Sequence, residues 1–234
     1  MSKLSVVIPS FNEAENVENL VERIHKALNG ISYEIIFVDD STDNTPEVIN
    51  DVIKKNPNVR LKHRTGKKGL SSAVIEGFKM AKGDYIAVMD ADLQHPPEIL
   101  HSMYKCLESG ADICIPSRFV PGGSDGGLGP YRKFVSLIAR YIGKILLPSL
   151  RTITDPTSGL FMFRREVIQD ADLQPIGWKI MIEVLAMGTY STVVEIPYIF
   201  KSRPAGESKL TTRVTLQYLQ QLIGLTKRAK RKNK

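Results

Sequence analysis

Two carboxylates one residue apart, followed by an amide, close the apolar stretch Tyr85-Ile86-Ala87-Val88-Met89-Asp90-Ala91-Asp92-Leu93-Gln94. Ile86, Val88 and Met89 read as a buried strand bounded by Gly83 and by Pro96-Pro97. Ionised carboxylates at the end of such a strand are costly unless a cation or hydrogen bonds offset them. A divalent ion answers that cost. If the strand runs on through Asp90 and Asp92, alternation sends both side chains to one face, where oxygen ligands suit Mg²⁺ or Mn²⁺. A pair of solvated aspartates at a loop start is the competing reading, since D-x-D alone is a common string. The neighbours must decide between them.

Two other apolar runs end in the same way. Residues 4–9 lead into Ser10-Phe11-Asn12-Glu13, and residues 33–38 into Asp39-Asp40-Ser41-Thr42-Asp43. Between the runs lie helical patterns. Val17, Leu20, Val21, Ile24 and Leu28 share one face behind a capping box of Asn12 and Glu15. Pro46 suits the first position of a second helix, and residues 69–82 read as a third, with Ala73, Val74, Gly77 and Phe78 at contact spacing. A weaker strand at 59–62 completes the order βαβαβαβ, which predicts an α/β fold with a mostly parallel central sheet flanked by helices. In such sheets ligands bind outside the carboxyl ends of the strands, so three acidic strand ends converge on one edge. Neither G-x-G-x-x-G nor the Walker pattern G-x-x-x-x-G-K occurs, and a metal is then the simplest means of holding phosphate.

Farther along, residues 112–116 predict another strand, followed by Ser117-Arg118 and a loop, 120–130, with five glycines in eleven residues; such a loop is expected to be mobile. Residues 132–145 form an amphipathic pattern, read either as a core helix or as one lying in a membrane interface. A turn at 155–159, a strand at 160–163, an apolar helix at 179–187, a strand at 193–200 and a helix at 212–227 follow. The 234-residue chain carries a formal charge of +7, but residues 201–234 hold 10 Lys/Arg against one Glu, so residues 1–200 are close to neutral at −2. That distribution weakens a nucleic-acid reading, which would want a basic patch on the folded body, so no nucleic-acid partner is expected, and it makes the tail either a frayed end or a contact for anionic lipid. Cys106 and Cys114 are the only cysteines, which fits a reducing compartment without disulfides. No apolar run reaches the length of a membrane span or of a signal-peptide core. The organisation expected is a catalytic domain over 1–211 and an amphipathic helix with polybasic tail over 212–234.

The strings V-V-I-P-S-F-N-E-A-E-N, I-F-V-D-D-S-T-D-N-T, K-K-G-L-S-S-A, V-M-D-A-D-L-Q-H-P-P, S-R-F-V-P-G-G, D-P-T-S-G-L-F and R-P-A-G-E-S-K-L together resemble, in one order, the dolichol-phosphate mannose synthase family. That family belongs to the family 2 glycosyltransferases of GT-A fold, a Rossmann-like sandwich, and the resemblance covers residue 3 to about residue 225. It implies an inverting transfer of mannose from GDP-mannose to dolichyl or another polyprenyl phosphate, giving a β-linked product. A glucosyl or N-acetylhexosaminyl transferase using a UDP-sugar and a catalytically silent lipid- or nucleotide-binding module are the alternatives. Carried over residue by residue, it puts Pro9, Phe11, Glu13, Val38, Asp40 and Ala91 around the nucleotide, and Arg203 and Lys209 on the donor side. Asp90, Asp92 and Gln94 would hold Mg²⁺ or Mn²⁺. Arg118, Arg132 and Ser136 would meet the acceptor phosphate, and Asp92, Arg118 and Arg132 would carry catalysis. Phe11 stands where the family often has Tyr, which keeps base stacking and loses a hydroxyl.

The same resemblance implies a cytoplasmic protein, peripheral on the cytoplasmic face of a membrane. It leaves open a separate membrane-anchoring partner, and whether the basic tail is an anchor or the cut end of a longer chain. The chemistry agrees with it. Charge builds on the departing nucleoside diphosphate, which a metal and cationic side chains stabilise. A phosphomonoester acceptor is already anionic near neutral pH, so no protein general base is needed, and His95 is expected to be structural.

Overall fold

The computed structural model of the protein describes residues 3–66, 69–127, 130–174, 177–201 and 212–232, with side chains described outside 130–135 and 212–216. Alternating strands and helices build it: β1 (Leu4–Ser10), α1 (Ala14–Ala27), β2 (Tyr33–Asp39), α2 (Thr45–Lys55), β3 (Val59–His63), α3 (Leu70–Met80) and β4 (Tyr85–Val88). Then come α4 (Ile99–Glu108), β5 (Ile113–Ser117), α5 (Pro130–Leu146), β6 (Phe161–Arg164), α6 (Ile180–Met187), β7 (Val193–Pro197) and α7 (Thr212–Lys232). The strands form one seven-stranded sheet in the order β3-β2-β1-β4-β6-β5-β7. It is parallel throughout except for β6, which runs antiparallel to both β4 and β5.

Strands buried on both faces must be apolar on both, and alternate residues of β1 and β4 do divide that way. Val7, Ile86 and Val88 join the core on the face covered by α3, α6 and α7. Leu4, Val6, Ile8, Ala87 and Met89 join the core under α1, α2 and α4. The predicted face of α1 is the one buried, with Val17, Leu20 and Ile24 fully inside.

Four local expectations need correction. Asn12 and Glu15 form no capping box: Glu13 is the N-cap residue and no side chain caps α1, because Asn12 is drawn into bonds with the end of β2. Pro46 sits one position inside α2, whose first residue is Thr45. The loop from residue 120 is tethered in its described part, since Ser124 forms a β-bridge with Ile199. The basic tail is not a frayed end. The final helix continues to Lys232; Arg228 bonds the buried Glu183 at 2.8 Å and Lys232 Nζ donates to the carbonyls of Met187 and Gly188. With Leu222 and Leu225 also buried, α7 is packed onto the body, where Arg228 supplies a cation to the buried Glu183 of α6.

Candidate functional site

Strand order reverses direction at β1 and β4, since the chain moves outward from β1 through β2 to β3 and then returns to the other side of β1. Such a switch point leaves a crevice at the carboxyl ends of the strands, and Pro9 to Glu13, Val38 to Asp40 and Asp90 to Gln94 all stand there. Backbone strain marks the same place. Asn12 at φ 57° and Leu93 at φ 59° are the non-glycine residues of positive φ among the described residues, one in the loop after β1 and one after β4; such conformations persist where surrounding bonds over-determine them. For Asn12 those bonds are visible. Its N–H donates to Ser41 Oγ at 2.7 Å, its Oδ1 accepts the Thr42 N–H at 3.0 Å, and the Glu13 N–H donates to Thr45 Oγ1 at 3.0 Å.

The two acids after β2 are both engaged, in different ways. Asp39, fully buried, accepts Ser10 Oγ, Ser41 Oγ and His63 Nδ1 at 2.5–2.8 Å, and so ties three strand ends together. Asp40, which the resemblance places at the nucleotide, is gripped by Arg64, from Nε to Oδ1 at 2.7 Å and from Nη2 to Oδ2 at 2.6 Å. The Gly69 N–H adds a third bond to Oδ2. Arg64 was missed at the sequence level, where its only mark is an arginine shortly after a strand. Around this shelf Val38 and Ala91 are buried, while the Phe11 ring is 40% exposed.

Asp90 and Asp92 are brought together, but not by the strand. The strand β4 ends at Val88, and the acids lie beyond it, so strand alternation does not set their directions. Asp92 is 8% exposed and its Oδ1 accepts the Gln94 N–H at 3.1 Å, a local bond that closes the turn. Gln94 is pinned through Nε2 to the Lys201 carbonyl at 3.2 Å, and its own carbonyl accepts the Lys201 N–H at 3.0 Å. The 155–159 turn closes against Asp90: a Cβ on Gly159 would fall 2.5 Å from Asp90 Oδ2, so a larger residue there would displace that carboxylate. Two carboxylates and an amide suit a hard divalent cation. No cluster of three or more His, Cys, Asp or Glu that could hold an ion occurs among the described residues, so such an ion would draw its remaining oxygens from a ligand and water.

Beside Asp90 opens a cavity of about 170 Å³ lined by His95, Arg118, Ser158, Trp178, Lys179 and Phe200, among others. Arg118 is not a bare cation here. Asp155, with no exposed surface, takes its Nε at 2.7 Å and its Nη2 at 2.8 Å. Burial alone would lower the Arg118 pKa, but the Asp155 bonds outweigh it and raise it. Glu195 on β7 holds the turn from below, accepting Thr154 N–H, Thr154 Oγ1 and Asp155 N–H at 2.8–3.0 Å. Arg140 of α5 lies 4.3 Å over the Phe119 ring and Arg118 5.2 Å from it.

His95, 4% exposed, stacks on Tyr198 and keeps Nε2 3.7 Å from Asp90 Oδ2. Ser136 sits half-buried on α5, whereas the side chain of Arg132 and all of Arg203 and Lys209 lie outside the described residues. Lys179 was missed by the sequence reading, which assigned it only to the start of a helix. The outward side of α5 carries Leu137, Ile138, Tyr141 and Ile145, each at least 41% exposed, within one arc of the helix. Among the described residues no helix is long and apolar enough to cross a membrane.

Comparison with known proteins agrees with this geometry. The chain matches the family model "Glycosyl transferase family 2" over residues 5–171. It is 49% identical over 226 residues to a protein of Pyrococcus furiosus named dolichol-phosphate mannosyltransferase, covering 96% of this chain and 64% of that one. A Saccharomyces cerevisiae protein of the same name is 36% identical, with 93% and 85% covered. The polyprenol monophosphomannose synthase of Mycolicibacterium smegmatis is 36% identical, with 88% and 80% covered. Among solved structures, glucosyl-3-phosphoglycerate synthase from Mycobacterium tuberculosis, in complex with Mn²⁺, UDP and glucosyl-3-phosphoglycerate, superposes with a TM-score of 0.74 over 97% of this chain and 80% of its own, at 18% identity; that likeness is one of fold. With its acidic strand ends at the switch point of a mostly parallel sheet and this match over most of its length, the chain belongs to glycosyl transferase family 2 and has the GT-A fold.

Proposed function

We propose that the protein is an inverting, metal-dependent transferase that moves mannose from GDP-mannose to dolichyl or another polyprenyl phosphate. The observation that carries the reading is the 36–49% identity to relatives named for that acceptor and that sugar; the chain spans 64% of the length of the Pyrococcus furiosus relative. The site supports it chemically. Asp90, Asp92 and Gln94 would hold Mg²⁺ or Mn²⁺ at the switch point, and the ion when bound supplies charge stabilisation to the departing diphosphate. Phe11 offers a stacking face for the base, while Pro9, Glu13, Val38, Asp40 and Ala91 form the shelf beneath the nucleoside. Arg203 and Lys209 would add positive charge to the diphosphate, and Arg132 and Ser136 would meet the acceptor.

In the reaction an oxygen of the acceptor phosphate attacks the anomeric carbon, and the bond from that carbon to the nucleoside diphosphate breaks with its electron pair leaving on the diphosphate. One displacement inverts the anomeric centre. The attacking oxygen carries its own charge, so His95 is left as a packing residue against Tyr198, and the site's task is orientation. The catalytic domain is taken as residues 1–211, with α7 as a packed helical extension carrying the basic end.

The apolar stripe of α5 would rest on the membrane that holds the acceptor, and the free thiols of Cys106 and Cys114 suit the cytoplasmic side. The deciding experiment offers the protein, Mn²⁺ and a short polyprenyl phosphate a panel of nucleotide sugars. GDP-mannose should be consumed fastest with formation of a β-linked mannosyl phosphate; preference for UDP-glucose would replace the sugar assignment, and no transfer from any donor would leave a binding module.

A further inference from the structure

Among the described residues two cations line the cavity beside Asp90, and they are not equivalent. Arg118 faces it as half of a neutral pair, because the buried Asp155 carboxylate takes two N–H groups along one edge of its guanidinium. Lys179 has no such partner. Its Nζ donates at 2.8 Å to the carbonyl of Thr157, a neutral acceptor, and no carboxylate among the described residues lies within ion-pair distance of it. An ammonium has three N–H donors, so two remain for a ligand.

The segment carrying Lys179 is held from both sides. Ser71 Oγ donates to the Gly177 carbonyl at 2.8 Å, and Gln221 Nε2 of α7 donates to the carbonyl of Lys179 itself at 3.1 Å. Pinned backbone lets a flexible four-carbon stem present its charge at one place. Burial first, and the Arg118 charge second, lower the pKa of Lys179, against the opposing pull of the more distant Asp90 and Asp155 carboxylates. A second sign of a missing ligand lies in the same wall: His95 Nδ1 is buried with no hydrogen-bond partner.

We propose that Lys179 is a further residue that binds the anionic oxygens of the phosphomonoester acceptor, beside Arg132 and Ser136, with Arg118 adding directed hydrogen bonds as the neutral half of its pair. The identity of the anion rests on the transferase reading; that an anion belongs there rests on the unmatched ammonium. The donor diphosphate is a poorer occupant. It belongs on the Asp90, Asp92 and Gln94 side, and in an in-line displacement the entering and leaving phosphates lie on opposite sides of the sugar.

The test uses the whole protein with Mn²⁺ and GDP. Binding of citronellyl phosphate and of inorganic phosphate is measured by calorimetry for the natural protein, Lys179→Met and Lys179→Arg, each checked for an unchanged melting temperature. Citronellyl phosphate should bind Lys179→Met on the order of 30-fold more weakly, as loss of a charge-assisted bond implies, while Lys179→Arg recovers most of the affinity and GDP binding does not move. Competition by inorganic phosphate in the natural protein, lost in Lys179→Met, would assign Lys179 to the phosphate head. In turnover the same variant should raise the acceptor KM and leave the donor KM alone. Equal citronellyl phosphate affinity in Lys179→Met, or a loss confined to GDP, overturns the inference. If Lys179→Met melts early, Lys179→Gln takes its place with the same readouts. Failure of the transferase reading would look different: no donor reacts with the natural protein, while the calorimetric comparison still decides what Lys179 binds.

Discussion

Both halves of the site contain a buried arginine–carboxylate pair, but the pairs are turned in opposite directions. On the proposed donor side Asp40 stands at the strand end with Arg64 behind it, and Arg64 spends further N–H groups on Ser72 Oγ and the Gly69 carbonyl. On the proposed acceptor side Arg118 lines the cavity while Asp155 lies behind with no exposed surface. One pair therefore offers a ligand its anion, suited to the N–H groups of a base or the hydroxyls of a ribose. The other offers its cation, suited to phosphate. Pairing also neutralises each half, so neither creates an isolated buried charge, and the net charge a ligand meets has to come from elsewhere.

The largest effect should come from the acids after β4. Asp92→Asn removes a proposed metal ligand and no core contact, so turnover should fall by about 10³-fold or more, roughly 4 kcal/mol, with the melting temperature little changed. Activity that survives in this variant, or in excess chelator, would end the metal assignment. Next come the two pairs. Arg64→Ala and Arg118→Ala each strand a buried carboxylate, and each should cost about 3–5 kcal/mol of stability in denaturant titrations. Their kinetics should diverge: Arg64→Ala raises the donor KM and Arg118→Ala the acceptor KM. A crossed pattern would break the comparison.

A smaller effect is expected on the outer side of α5. Replacing both Tyr141 and Ile145 with Glu should weaken vesicle binding about tenfold, measured by sedimentation, without altering turnover of a short soluble acceptor. The smallest lies beneath the donor half. Burial pushes the Glu34 pKa up, but Arg60, the Lys82 N–H and Ser5 pull it down more strongly, leaving it below its usual value of 4.5. A lowered carboxylate contributes stability above its unfolded pKa and loses it as pH falls through the native one. Glu34→Gln should thus cost about 1 kcal/mol at neutral pH, with the difference from the natural protein closing in acid melts below pH ~4.5.

The donor half was legible because each of its parts is a short contiguous string after an apolar run. Residues 9–13, 38–45 and 90–94 announce themselves as strand ends, and a parallel sheet obliges such ends to meet at one edge. Helix faces were legible for a similar reason, since burial of Val17, Leu20 and Ile24 repeats with the helix period. Even there the local geometry was not. Bonds from Ser41 and Thr42 pull Asn12 out of the expected capping box, and β4 stops before Asp90, so the acids do not owe their directions to strand alternation.

The acceptor half is different in kind. His95, Arg118, Ser158, Lys179 and Phe200 come from five separate segments, and they meet because β6 enters the sheet antiparallel between β4 and β5. Nothing in the spacing of those residues reports a strand inserted out of order. Sequence composition could say that an arginine follows β5 and a lysine precedes α6; only the packed structure could decide that Asp155 matches the arginine and leaves the lysine unmatched. The basic tail shows the same limit. Its charge was plain from the residue types alone, but whether it faced lipid or protein depended on Glu183, a buried carboxylate 45 residues earlier whose need for a cation exists only after α6 has folded against α7. Local strings determine where a strand ends and what chemistry waits there, because those are short-range properties; which charges remain free is a balance over the whole interior, and that balance is settled by tertiary contacts.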